Sequence, residues 1–281
     1  MPTVKGSVGT ELQLYQLGLF ASDSRTLASD EPIPCLDSQC LYTFDGLGFL
    51  SQSPCGLVSD LADAWAPSDL WLDLGEPGGP RQLDRAGFEQ LTGCRYTPRL
   101  VARTEALLRG YGHWGFSASA AGGSRGGFAT AHARGFAPHL ARGRTARVVA
   151  RDCGPALGLG LYALDGLRAS SLVGEYAGEL VPLAPGAPLD AYSCRYPTRV
   201  PAALVSARAW GNAMRLVNHA PRARANAAFE YVHHGGLLRV VIVATRDVAP
   251  GEQILADYGP DYWRAHGDAP VVDLGPAASP A

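Results

Sequence analysis

The residues best suited to chemistry lie in two short stretches, Asn218-His219 and, 39 residues downstream, Asp257-Tyr258-Gly259-Pro260-Asp261-Tyr262-Trp263. The second is a poor surface loop and a poor helix. Its mixture of phenols, indole and carboxylates suits a site that orients one polar oxygen inside an apolar wall. Asn218 and His219 put an amide and an imidazole on adjacent residues, and an irregular segment can turn both toward one heterocycle. A polar loop, or a core histidine satisfied locally, would read the same way. Further upstream, Gly158-Leu159-Gly160 leaves backbone groups open to close approach by a ligand, although hairpin glycines are written identically.

The composition limits what such residues can belong to. With 281 residues, 47% of them hydrophobic, the chain can build a substantial core as one large domain or two modest ones. Its apolar runs are far shorter than the roughly 20 residues of a membrane span. The first twenty residues lack the basic start, apolar core and small-residue cleavage site of a secretory signal. The expected location is therefore intracellular, in cytoplasm or nucleus, unless export follows a route the sequence does not display. A net charge of −2 argues against a generic nucleic-acid binder. The six arginines from Arg125 to Arg151 (positions 125, 134, 142, 144, 147 and 151) could still attract phosphate or an acidic surface, or could simply be solvated. Six cysteines occur without a C-x-x-C pair. Cys35, Cys40 and Cys55 could join a histidine on zinc, but scattered reduced thiols account for them equally, and no metal is expected.

The elements that would position these residues are unevenly legible. Residues 1–116 are rich in turn formers, with breaks at Glu31-Pro32-Ile33-Pro34 and Gly75 to Pro80. After them, the leucine, valine and alanine spacing of Arg99 to Arg109 predicts a helix ended by Gly110. Ser117 to Gly127 has the composition of a linker, and residues 117–143 form a basic connecting segment. From residue 144 the pattern becomes one of short strands: Arg147 to Arg151, a glycine-rich turn at Gly154 to Gly160, a strand pair over Ser171 to Val181, and Leu237 to Thr245 as the strongest β signal. Alanine-rich Ala203 to Leu216 is expected to be the one helix of this half. The fold class is mainly β with some α, with a region of unassigned fold at the N-terminus and a flexible tail over 266–281.

Four blocks in this half stand in an order that resembles the SET-domain protein lysine methyltransferases: Gly158-Leu159-Gly160-Leu161-Tyr162-Ala163, Gly174-Glu175-Tyr176-Ala177-Gly178-Glu179, Gly211 to His219, and Gly251 to Gly259. The ending Asp257 to Trp263 is most similar to the short SET domains of large DNA viruses and some bacteria. The resemblance covers residues 145–265 and says nothing of 1–140. It implies a catalytic domain over 144–265, built of short strands in several small sheets with a knot-like C-terminal threading. It implies S-adenosyl-L-methionine as cofactor and a lysine-bearing protein or peptide, possibly a histone, as substrate.

The same resemblance implies roles for individual residues. Gly158, Leu159 and Gly160 would meet the methionine end of the cofactor and Asn218 and His219 its adenine, with Arg215 as a positioning residue. Tyr258 and Tyr176 would be the catalytic tyrosines, Tyr176 also lining the lysine channel beside Tyr258. The family pattern N-H-S-C-x-P-N gives way here to Asn218-His219-Ala220-Pro221-Arg222-Ala223-Arg224-Ala225-Asn226, so the closing asparagine arrives two residues late. No cysteine follows Cys194, so the zinc-bound tail of many relatives has no counterpart, and Tyr262 and Trp263 are expected to form the lid. Two residues before the catalytic tyrosine the family often places an aromatic that limits the room at the amine. Ala256 stands there, so either the pocket is open or Phe229 fills it from another strand. Both alternatives lack a water-holding phenol and imply di- or trimethylation. A catalytically inactive SET-like binding module is the alternative, although such modules tend to lose the residues retained here.

Overall fold

The computed structural model describes residues 33–34, 41–44, 50–53, 70–102, 135–136, 138–140, 142–184, 189–196, 203–234 and 237–267. Three strands, β1 (Ile33–Pro34), β2 (Leu41–Phe44) and β3 (Leu50–Ser53), make a small antiparallel sheet of their own. β4 (Leu70–Asp73) and β5 (Arg81–Gln82) lead into helix α1 (Arg85–Thr92) and β6 (Arg95–Tyr96). α1 is short but well terminated. The Asp84 carboxylate accepts from the Gly87 N–H at 2.7 Å, and Gly93 closes the helix at φ 65°.

The remaining strands are β7 (Val148–Asp152), β8 (Leu159–Ala163), β9 (Leu172–Glu175), β10 (Gly178–Pro182), β11 (Ser193–Tyr196) and β12 (Ala203–Gly211). A 3-10 turn, Ala213–Leu216, precedes β13 (Asn218–His219), β14 (Ala227–His234), β15 (Leu237–Ala244) and β16 (Leu255–Ala256), and helix α2 (Pro260–His266) follows. They form sheets ordered β5-β4-β7-β8, β10-β12-β11 with β6 beside β12, and β13-β16-β14-β15-β9. The chain is thus mainly β, with several small mixed sheets, as its sequence predicts.

Residues 70–102 do not stand apart from the strands that follow residue 144. β4 pairs in parallel with β7, and Leu70, Leu72, Phe88 and Leu100 share one buried cluster with Val148, Leu161 and Ile242. A buried ion pair reinforces the junction, because Glu175 Oε1 accepts from Arg239 at 3.2 Å and from the Leu100 N–H at 2.8 Å. Such a pair mainly fixes which elements meet, since desolvation offsets most of its attraction. Residues 70–102 therefore act as scaffold packed on the sheets of the C-terminal half.

Three expectations are corrected. Ala203 to Leu216 is no helix: β12 occupies Ala203–Gly211, hydrogen-bonded to β10 and β11, and only a 3-10 turn follows. Buried Leu204, Val205 and Trp210 serve a strand between two neighbours, and this pairing overrides the helix preference of the alanines. At the start of the expected helix from Arg99, residues 101 and 102 are extended and Val101 bridges to Glu179, while 103–110 and the Ser117–Gly127 linker lie outside the described residues. The strand pair over 171–181 exists as β9 and β10, but the two do not pair together. β9 joins β15 and β10 joins β12, so Tyr176 and Ala177 sit where the chain changes sheets.

The C-terminal segment is threaded. β16 lies between β13 and β14, parallel to both, while residues 220–226 connect those two strands. Asn226, 1% exposed, secures this insertion. Its side-chain oxygen accepts from the Leu255 N–H at 2.8 Å, and its amide donates to Gln253 O at 2.8 Å and Glu252 Oε1 at 3.0 Å. The asparagine that arrives late in the sequence thus clamps the threaded strand.

At the irregular start of the β10–β12 ladder, a Cβ on Gly178 would lie 2.5 Å from the Ser206 carbonyl oxygen. Backbone cannot yield there as a side chain could. Gly178→Ala is expected to destabilise the fold by about 1–3 kcal/mol, as overpacking does, read as a lowered denaturant midpoint. An unchanged midpoint would show that this crossing has slack.

Candidate active site

β16 delivers Asp257 and Tyr258 directly beside β13, which carries Asn218 and His219. Asn218 pairs with Leu255 and His219 with Ala256 in register. The two stretches singled out by residue type therefore meet. Together they border a cavity of about 740 Å³, walled also by the turn at Gly158 and Leu159, the 3-10 turn through Arg215, strands β11 and β14, and helix α2. This is a normal size for a ligand site.

Tyr258 is the centre of that wall. Its hydroxyl donates to the Val217 carbonyl oxygen at 2.6 Å, and its backbone N–H donates to His219 Nδ1 at 3.2 Å. With its proton committed to the backbone, the phenol turns its remaining oxygen lone pairs elsewhere and can act as an acceptor. Burial holds its pKa above the ordinary value of 10. Tyr176 is built alike: it is buried, its hydroxyl donates to Tyr192 O at 2.7 Å, and desolvation raises its pKa well above 10. Phe229 stands between them, edge-on to Tyr176 at 5.5 Å and to Tyr258 at 6.3 Å. Phe229, from β14, thus lines the cavity between the two tyrosines. Ala256 itself is fully buried in the core and does not line the cavity.

His219 acts as an acceptor. Burial lowers its pKa, outweighing Asp257, whose carboxylate stands 3.8 Å from Nδ1. Because Nδ1 receives the Tyr258 N–H, the neutral ring carries its proton on Nε2, and the contact with Asp257 is no ion pair. Asn218 donates to Leu159 O at 3.3 Å, tying β13 to the glycine turn. In that turn Gly158 adopts φ 63° with nothing within 4 Å of a would-be Cβ. Gly160 is different. Its missing side chain makes room for Cys153 Sγ and Gln253 Nε2, which a Cβ would meet at 2.4 and 2.5 Å, and it does not line the cavity.

Arg215 is held by Ala207 O at 3.0 Å and Thr92 O at 3.2 Å, and its guanidinium lies 4.0 Å over the Tyr192 ring. Helix α2 folds its aromatics onto the site: Tyr262 is 4.8 Å from Tyr258, and Trp263 is 4.8 Å from His219. The Trp263 indole nitrogen is buried without a protein partner. The structure therefore brings Gly158, Leu159, Tyr176, Arg215, Asn218, His219, Phe229, Tyr258, Tyr262 and Trp263 to one cavity and leaves Gly160 and Ala256 behind it.

Tyr192, Cys194 and Tyr231 also line it, unforeseen from the sequence. Only the Asp190-Ala191-Tyr192-Ser193 turn chemistry could have pointed to the first. Burial pushes the Cys194 thiol up to about 12, which disfavours its thiolate.

Two arginines of the basic segment have acidic and aromatic partners. Arg147 pairs with Asp165 at 2.8 Å and lies over Trp71, and Arg151 pairs with Asp73 at 3.1 Å and lies over Tyr162. Cys35, Cys40, Cys55 and Arg125 lie outside the described residues. Among the described residues no cluster could hold a metal ion, and no helix is long and apolar enough to cross a membrane.

Comparison with known proteins bears on the same segment. The model of the SET domain matches residues 158–259, as the order of the four blocks implies. A histone-lysine N-methyltransferase, H3 lysine-4 specific, of Cryptococcus neoformans var. neoformans serotype D (strain B-3501A) is 34% identical over 108 residues. That match covers 36% of this chain and spans 7% of the relative's own length. Among solved structures, a humanized mutant of the Chaetomium thermophilum Polycomb Repressive Complex 2 is 26% identical at a TM-score of 0.37, covering 44% of this chain and 17% of the other. The Chaetomium thermophilum complex itself is 24% identical at 0.39, covering 47% and 17%.

His219 generates a pH test. Its folded pKa lies below 6.5, so the stability of the neutral ring is present above that pH and is lost as pH falls below it. Between about pH 6.5 and 5, wild-type thermal stability should decline more steeply than that of His219→Gln, which cannot titrate there. Parallel slopes would contradict a buried neutral imidazole.

Proposed function

We propose that this chain is an S-adenosyl-L-methionine-dependent protein lysine N-methyltransferase. The observation that carries the reading is a pair of phenols, buried Tyr176 and half-buried Tyr258. Each has its proton committed to a backbone carbonyl, and the two flank Phe229 in the cavity that Asn218, His219 and Gly158 also border. The catalytic domain is assigned to residues 144–265, with 1–116, 117–143 and 266–281 outside it, although 70–102 pack against it.

The residues present fit the cofactor. At Gly158 a ligand meets bare backbone, and Asn218 and His219 border the same cavity with polar side chains. Gly158, Leu159, Arg215, Asn218, His219, Tyr262 and Trp263 would hold it. When bound, it supplies a methyl group on a sulfonium, open to in-line displacement by an amine. Gly160 supports that turn through packing.

The protein's part is alignment and desolvation. A lysine with an ordinary pKa near 10.4 is neutral in only about one molecule in 10³ to 10⁴ at pH 7. A channel between Tyr176, Phe229 and Tyr258 disfavours the ammonium and lowers that pKa. The Tyr258 oxygen, acting as acceptor, holds the neutral amine by its N–H, and nearby carbonyl oxygens can take weak C–H···O contacts from a methyl group. Such orientation is worth several kcal/mol of the barrier. Phe229 fills the space near the amine without a hydroxyl to anchor a water, so the reading is di- or trimethylation. The substrate is a lysine-bearing protein or peptide, with histone the favoured class from the similarity to a histone methyltransferase. The expected location remains intracellular.

Incubation with labelled cofactor, histones and cell lysates, followed by mass spectrometry, tests the reading. Di- or trimethyl-lysine is expected, and only monomethyl-lysine would overturn the assignment of Phe229. Tyr258→Phe should lower turnover by about 10²-fold or more, the scale of lost alignment, while calorimetric cofactor binding persists. Wild-type turnover in this variant would remove Tyr258 from its role. Cofactor binding without any transfer would favour the inactive binding module.

A further inference from the structure

Three parts of the site end on one loop. The Tyr176 hydroxyl donates to Tyr192 O at 2.7 Å, the Arg215 guanidinium lies over the Tyr192 ring at 4.0 Å, and the Tyr262 hydroxyl donates to Ala191 O at 3.2 Å. These residues come from the β9–β10 crossover, the 3-10 turn and helix α2, and no other described loop receives all three. The loop is itself organised by one carboxylate. Asp190 Oδ1 accepts from the Tyr192 N–H at 2.8 Å, and Oδ2 accepts from Ser193 Oγ at 2.7 Å and from Ser206 Oγ at 2.8 Å. Ser206 belongs to β12, so Asp190 fastens the loop to a central strand.

We propose that Asp190 is a positioning residue for methyl transfer, acting through Tyr192 on Tyr176 and Arg215. This rests on the methyltransferase reading of the site. Three donors converge on Asp190, and a carboxylate suits them because it only accepts and offers about four lone-pair directions. The Tyr192 carbonyl must be aimed for two donors at once, the Tyr176 hydroxyl and the Ala207 N–H at 3.0 Å. Releasing Asp190 leaves that carbonyl held by the Ala207 N–H, without the second anchor at the Tyr192 N–H. The acceptor that sets the Tyr176 ring and the ring beneath Arg215 are then less firmly placed. A single half-buried carboxylate thereby couples the lysine side of the cavity to the cofactor side.

The test is a kinetic cycle on the full-length chain. Asp190→Ala should lower kcat about tenfold and raise the cofactor KM about threefold, the size expected when remote groups misplace a reacting centre. Asp190→Asn, whose oxygen still accepts from the Tyr192 N–H and whose amide can donate to the serines, should stay within about threefold of wild type. The decisive reading is made in a Tyr176→Phe background, where the hydroxyl that uses the Tyr192 carbonyl is gone. There the kcat loss from Asp190→Ala should shrink to about twofold or less, because coupled residues are not additive. Should Asp190→Ala not fold, Ser206→Ala, which cuts only the anchor to β12, is read in the same two backgrounds. Equal losses in both backgrounds would overturn the proposal and leave the methyltransferase reading standing. A wild-type protein that transfers no methyl group would overturn that reading, and the proposal with it.

Discussion

The hydrogen bonds of Asn226 to the threaded strand are the constraint on which the site depends. β16 is only two residues long, too short to hold its place by pairing alone. Asn226 fixes it from the side chain at three points, and the backbone adds Asn226 N–H to Leu255 O at 3.0 Å. Each of these groups is buried or half-buried, so losing a partner costs on the order of 1–3 kcal/mol. The clamp therefore sets a position as well as contributing stability. With β16 between β13 and β14, Tyr258 emerges opposite His219, and no other register would bring its N–H to that imidazole.

Everything that follows is a consequence of where Tyr258 comes out. Its hydroxyl finds Val217 O, one residue before β13, so both ends of the tyrosine are held by the same short segment. Phe229 on β14 and Tyr176 at the sheet crossover close one side of the ring, and helix α2 closes the other with Tyr262 and Trp263. Edge-to-face contacts of this kind are modest individually but fix ring orientation.

Much of this was legible in the sequence. Asn218-His219 and Asp257 to Trp263 could be singled out because amide, imidazole and phenols seldom cluster so densely without a polar task, and strand β15 was clear from its β-branched run. The order of the four blocks carried the fold of residues 158–259. What could not be read was non-local. β12 looked helical because alanines favour helix, while its strand state comes from partners on both sides. Gly160 looked like a ligand contact because a glycine does not announce whether ligand or core fills the space beside it. Ala256 has the right position in sequence, but its side chain faces the core. Asp190 and Tyr192 carried no signal beyond a turn, since their distant partners, Tyr176, Ser206, Ala207 and Arg215, lie on other elements.

The central claim is that the threaded strand assembles one cavity for the cofactor and the lysine. The most direct measurement is calorimetric titration of S-adenosyl-L-methionine into the wild-type chain and into Asn226→Ala, at a temperature where both are folded. One cofactor per wild-type chain is expected, with binding weakened about tenfold or more in the variant because His219 and Trp263 lose their register. Unchanged affinity in Asn226→Ala, or no binding to the wild-type chain, would contradict the account.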